Sequence, residues 1–166
     1  MQRVVVLGCA GAGKTTFSRH LGKLLDLPVF HLDRHYWRPG WVAAPEEKFH
    51  AAQRALVAKD RWVIDGNYSG SLHIRLPAAD TIVLLDFPRW HCLYRVAKRT
   101  VQGWGKDGQA TGCPERVDLE FLRWIWRWRR DSRPRALAKV AEHGRCARQL
   151  RLSNPREVKA FLENLR

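Results

Sequence analysis

Near its N-terminus the chain reads Gly8-Cys9-Ala10-Gly11-Ala12-Gly13-Lys14-Thr15, a full match to G-x-x-x-x-G-K-[ST]. Before it lies a short apolar run, Val4 to Leu7. After it, from Lys14 to Leu25, the residues Phe17, Leu21, Leu24 and Leu25 fall on one helical face. A strand that enters a glycine loop and leaves as a helix predicts the first unit of an α/β domain. In such a loop Gly8, Gly11, Ala12 and Gly13 turn backbone N–H groups toward nucleotide phosphates. The following helix aims its N-terminus at the same point. Lys14 is expected to reach the β- and γ-phosphates of ATP. Thr15 is expected to ligate Mg²⁺, with Thr16 beside it at the nucleotide.

The rest of the chain continues the alternation. Val29 to Leu32 predicts a second strand with Asp33 at its end. Residues 34–45 read as a loop with a Pro39-Gly40 turn, and a helix follows from Pro45 to about Ala58. Trp62 to Asp65 and Thr81 to Leu85 predict further strands, the latter ending in Asp86. A helix from Pro88 to about Val101 leads into residues 102–114, a glycine-rich stretch read as a mobile loop. Leu119 to Arg130 is helical in pattern. Pro134 is expected to start a separate helix to about Glu142. A weak strand at 147–152 and a closing helix at 155–165 complete the chain. This pattern predicts one P-loop kinase-like α/β domain over residues 1–166, a parallel sheet covered on both faces with a lid near 102–130.

Ligands of such sheets bind beyond the carboxyl ends of the strands. Asp33, Asp65 and Asp86 all end candidate strands there. The reading places Asp65 near magnesium and Asp33 near the acceptor, where it would grip or deprotonate a hydroxyl. Asp86 has the weaker claim. Arg95 and Arg99 precede the glycine-rich stretch, and Arg129 and Arg133 follow it, so they are expected to close on the transferring group. Arg75, between the third and fourth strands, could meet the acceptor's charge. Trp37 and Trp41, with His31, His35 and Tyr36 nearby, suggest an aromatic pocket for a flat acceptor or simple packing. In LEFLRWIWRWRR, Phe121, Trp124, Ile125 and Trp128 form one face and Arg123, Arg127 and Arg130 a basic stripe. That segment reads as a core-facing helix or a stacking surface for nucleic acid; Trp126 fits neither face.

Thirty Lys and Arg against sixteen Asp and Glu give a net charge of +14, which favours anionic partners without choosing among them. The four cysteines form no C-x-x-C pair, and no apolar run is long enough for a membrane span or a signal peptide. A cytoplasmic protein with reduced thiols, monomeric or homodimeric, is the expectation. The function expected from these residues is transfer of the γ-phosphoryl group of Mg·ATP to a small acceptor, with nucleoside-like or nucleotide-like compounds among the candidates. The alternatives are a nucleic-acid-binding regulator that uses ATP as a switch, and an ATP-binding domain without turnover.

The runs GCAGAGKTT, HLD followed by WRPGW, WVIDGNY, ADTIVLLDFPRW, GCPE and a tryptophan-rich helix ending SRP resemble the bacterial DNA topology modulation proteins. These look like relatives of adenylate kinase and shikimate kinase. The resemblance runs from Val4 to Leu165. It implies a five-stranded parallel sheet of order 2-3-1-4-5, a lid after the fourth strand, and ATP as donor. It implies Asp65-Gly66 near magnesium and Asp33 against the acceptor. Arg129, Arg133 and Pro134 resemble the R-x-x-x-R-P stretch that ends the lid of shikimate kinase. Ser153-Asn154-Pro155 would pass the adenine ring. After Asp65-Gly66 the chain reads Asn-Tyr-Ser where adenylate kinases have Phe-Pro-Arg, which argues against a nucleoside monophosphate acceptor.

Overall fold

The apolar runs read as central strands are buried on both sides, which is why they show no polar alternation. They are β1 (Arg3–Gly8), β5 (Trp62–Asp65) and β6 (Thr81–Leu85). With the edge strands β2 (Val29–His31) and β7 (Arg148–Leu152) they form a five-stranded parallel sheet, order β2-β5-β1-β6-β7. Counted within the sheet alone, this is the expected order 2-3-1-4-5. The computed structural model describes residues 1–104, 110–114 and 117–165; the predicted lid therefore lies partly outside the described residues.

Side chains alternate across the sheet, so each face of β1 serves a different core. Val4 and Val6 pack with Phe17, Leu21, Val83, Leu85 and Ile125. Val5 and Leu7 pack with Phe49, Leu56, Trp62, Ile64 and Leu84. The first core is covered by α1 (Lys14–Leu25), α5 (Arg89–Gln102) and α7 (Pro155–Glu163). The second is covered by α3 (Glu46–Val57) and the short α4 (Leu72–Arg75).

One long helix serves both cores. The structure has α6 running unbroken from Leu119 to His143, with Pro134 inside it, where the sequence predicts two helices. Its Ile125 and Trp128 belong to the first core, and its Ala136 and Val140 to the second. Burial on both sides of Pro134 holds the axis through a residue that lacks an N–H. The proline itself is exposed, so water can serve the carbonyl its ring displaces.

The predicted loop at 34–45 is also built. It holds α2 (Asp33–Tyr36) and an antiparallel pair, β3 (Trp37–Arg38) and β4 (Val42–Ala43), turning at Pro39-Gly40. Asp33 therefore opens a helix two residues after β2 ends. Among the described residues, no helix is long and apolar enough to cross a membrane.

Candidate active site

The phosphate loop joins β1 to α1. Gly11 and Gly13 hold φ of 78° and 90°, backbone that side chains disfavour. A Cβ on Gly11 would collide with the backbone carbonyl of Cys92, and one on Gly13 would lie 2.9 Å from Nη1 of Arg95. The loop is thus pressed against α5, whose Cys92 backbone meets Gly11 and whose Arg95 side chain meets Gly13. Lys14 Nζ donates to the carbonyls of Gly8 (2.9 Å) and Cys9 (3.1 Å). Gly11, Gly13, Lys14, Thr15 and Thr16 all line one cavity.

Two predicted phosphate donors do not. The Ala12 N–H donates to the Cys9 carbonyl (3.1 Å), closing the loop on itself. The Gly8 N–H donates to Asn67 Oδ1 (3.0 Å), while Asn67 Nδ2 returns a hydrogen bond to the Gly8 carbonyl (2.5 Å). Both amides are used up in shaping the loop. Asn67 braces it from the end of β5, a role that only its place after Asp65-Gly66 hints at in the sequence.

The three aspartates have separate partners. Asp33 lines the cavity and accepts from the Tyr68 hydroxyl (2.5 Å). Tyr68 sits at φ 35°, a left-handed conformation that a bulky residue rarely adopts. Burial, and then the Asp33 charge, push the Tyr68 hydroxyl well above the usual phenol range, so it stays a donor. Asp65 is buried, accepts from His31 Nδ1 (2.7 Å), and does not line the cavity. Asp86 is buried under arginines. Arg133 grips it through Nε (3.0 and 3.1 Å) and Nη2 (2.9 Å), Arg151 adds 2.7 Å, and Arg129 approaches to 3.9 Å. That clamp gives Asp86 a structural use.

Arg95 and Arg99 line the cavity as expected; Arg129 and Arg133 instead stand at Asp86, outside its lining. Asn154 also departs from expectation. It caps α7, accepting from the Glu157 N–H (3.0 Å) and donating to Glu157 Oε1 (2.6 Å), because a helix start needs an acceptor for its unpaired amides. Arg75 is fully buried and faces inward. It donates to Gln53 Oε1, Ser71 Oγ and the carbonyls of Gly66 and Asn67, and so pins the turn after β5. Burial pulls its guanidinium down to about 9, which leaves it charged at neutral pH.

The cavity measures about 1230 Å³, room for a nucleotide and a small second ligand together. Strand order sorts its ends. The phosphate loop follows the central strand, with α5 contributing His91, Arg95 and Arg99. The β2 and β5 side contributes Asp33, Trp37, Trp41, Asn67 and Tyr68, and α6 adds Phe121, Trp124 and Trp128 to the lining. The β3–β4 hairpin is fastened to residues within the predicted lid. Gly40 N–H donates to the Gly112 carbonyl (2.8 Å), Trp41 Nε1 to the Pro114 carbonyl (3.1 Å), and Cys113 Sγ to the Arg38 carbonyl (3.1 Å).

The fold that carries this cavity is found in solved structures. The chain aligns over 99% of its length with a shikimate kinase from Acinetobacter baumannii in complex with shikimate, at 19% identity and a TM-score of 0.57, covering 90% of that chain. The fold is that of the shikimate kinases. A shikimate kinase from Bacteroides thetaiotaomicron aligns at 16% identity and TM-score 0.59, over 99% of this chain and 96% of that one. A gluconokinase from Sinorhizobium meliloti gives 14% and 0.56, over 99% and 93%. No family model matches the chain, and no curated protein matches it. The expected P-loop kinase fold is thereby borne out, while the topology-modulation part of the resemblance has no counterpart among these neighbours.

Proposed function

We propose that the chain is a kinase that moves the γ-phosphoryl group of Mg·ATP to a hydroxyl on a small acceptor. One observation carries this: a single cavity joins the phosphate loop, with Lys14, Thr15 and Arg95, to the Asp33–Tyr68 pair. The residues suit the nucleotide. Gly11 and Gly13 present bare backbone to the cavity, and the guanidinium of Arg95 beside Gly13 suits phosphate charge. Thr15 would hold a magnesium ion through its hydroxyl, and the ion would supply charge neutralisation on the phosphates; Asp65, the other residue expected at the metal, is held by His31 and would have to act from outside the cavity lining.

The chain's own residues would then act in place. Lys14 and Arg95, with Arg99, offset the negative charge that builds on the transferring group. Asp33 takes the proton as the acceptor oxygen bonds to the γ-phosphorus. The bond from that phosphorus to the bridging oxygen breaks, and its electron pair leaves with ADP. Tyr68 holds the Asp33 carboxylate in position. Arg129 and Arg133 could join only by leaving Asp86.

Acceptor-dependent ADP formation tests the proposal. Lys14→Ala should retain the fold and lose at least about 100-fold in kcat/KM. Undiminished turnover in that variant would overturn the assignment.

A second reading, binding of single-stranded nucleic acid, is favoured by a different surface. Trp90 and Trp126 are 67% and 41% exposed, meet edge to face at 4.7 Å, and carry Arg89 4.7 Å above the Trp126 ring. Exposed aromatic rings beside arginine can stack bases. Fluorescence anisotropy with a labelled oligonucleotide should then show binding tighter than micromolar that falls steeply with salt; weak binding at low salt would reject this reading.

A further inference from the structure

Resting on the kinase reading, we propose that the acceptor is a flat alcohol without negative charge, of the nucleoside type, stacked on the aromatic wall of Trp37, Trp41 and Tyr68 with its hydroxyl on Asp33.

Three observations converge on this class. The first is the wall itself. Trp37 and Trp41 meet edge to face at 5.5 Å, and Tyr68 is packed at 4.8 Å against Phe49 and 4.7 Å against Tyr36. Phe121 and Trp124, which also line the cavity, lie parallel within 8° at 5.9 Å. Rings fixed by their neighbours offer a flat ligand area at little entropic cost. The tryptophans are also held: the hairpin that bears them is tied to Gly112, Cys113 and Pro114.

The second is charge. Among the described lining residues from β2 to the turn after β5, the ionised group is the Asp33 carboxylate, with the un-ionised Tyr68 hydroxyl on it. An anionic group bound beside Asp33 would meet like charge. A neutral hydroxyl can donate to a carboxylate, which accepts at several positions.

The third is Arg75. It stands on the acceptor side of the sheet, where a cation could recognise an acid. Its side chain is fully buried, and its Nη1 and Nη2 donate to Gln53, Ser71, Gly66 and Asn67. It shapes the turn that presents Tyr68 and is not presented to a ligand.

The test offers Mg·ATP and equal concentrations of adenosine, thymidine, glucose, shikimate, gluconate and AMP. ADP release is followed, with titration calorimetry of each compound in the presence of ADP. A nucleoside should be used with kcat/KM at least about tenfold above that for the acids, AMP and glucose. Trp37→Leu should weaken nucleoside use about tenfold, with the loss concentrated in KM and with ATP affinity retained; Trp37→Phe should restore most of it. Preference for an acid, AMP or glucose would overturn the proposal and leave the kinase reading standing. If no compound supports turnover, the kinase reading fails and calorimetry decides the pocket's class. Nucleoside binding that Trp37→Leu weakens would support it, and no nucleoside binding would overturn it.

Discussion

Asn67 shows how much of this site is held by residues that touch no phosphate. Its side chain satisfies both backbone groups of Gly8, the residue at which β1 becomes the phosphate loop. Asn67→Ala would leave that N–H without its partner in a part-buried setting and leave the carbonyl to Lys14. The expected cost is about 1–3 kcal/mol in urea denaturation, with a raised KM for ATP; unchanged stability and unchanged KM would remove the brace from the account. Lys14, Thr15 and Asp33 were legible in the sequence because motif or strand-end position announces them. Asn67 was not, because it meets Gly8 only when β1 and β5 pair. The same holds for Arg75, whose charge suggested a ligand while its burial makes it a strut. Ala12 and Asn154 were legible as members of motifs, but local geometry turned both inward, one to close a loop and the other to cap a helix.

At the scale of elements, the strands were the legible part. Buried parallel strands are continuous apolar runs, and β1, β5 and β6 have that form. The long α6 was not legible, since proline is ordinarily read as a helix start or stop. What overrides it is nonlocal: Ile125 and Trp128 dock on one core while Ala136 and Val140 dock on the other. The proline is therefore tolerated rather than favoured. Pro134→Ala should stabilise the protein by about 1–3 kcal/mol in thermal or urea unfolding, since the helix regains a hydrogen bond and loses a steric clash. Destabilisation would show that the proline sets a bend on which the packing depends. The hairpin at Trp37–Ala43 was hidden for a similar reason. Each of its strands has two residues, and its anchors lie at Gly112, Cys113 and Pro114.

Across the whole molecule, sequence and structure agree on an α/β sheet whose carboxyl edge gathers the reactive groups. The chain's positive charge finds one local use at that edge, where Arg95 and Arg99 overlook the phosphate loop and three other arginines neutralise Asp86. The aromatic residues have two uses: some wall the cavity, and Trp90 and Trp126 lie outside it on the surface. On the proposed reading, phosphates would bind at the centre of the sheet and an uncharged acceptor toward β2. The direct test is transfer of label from γ-³²P ATP in the presence of magnesium and a nucleoside, with wild type and Lys14→Ala side by side. The account predicts labelled acceptor and ADP in equal amounts from the wild type, and neither above background from the variant. Label recovered only as inorganic phosphate, or no ADP with any acceptor, would contradict it.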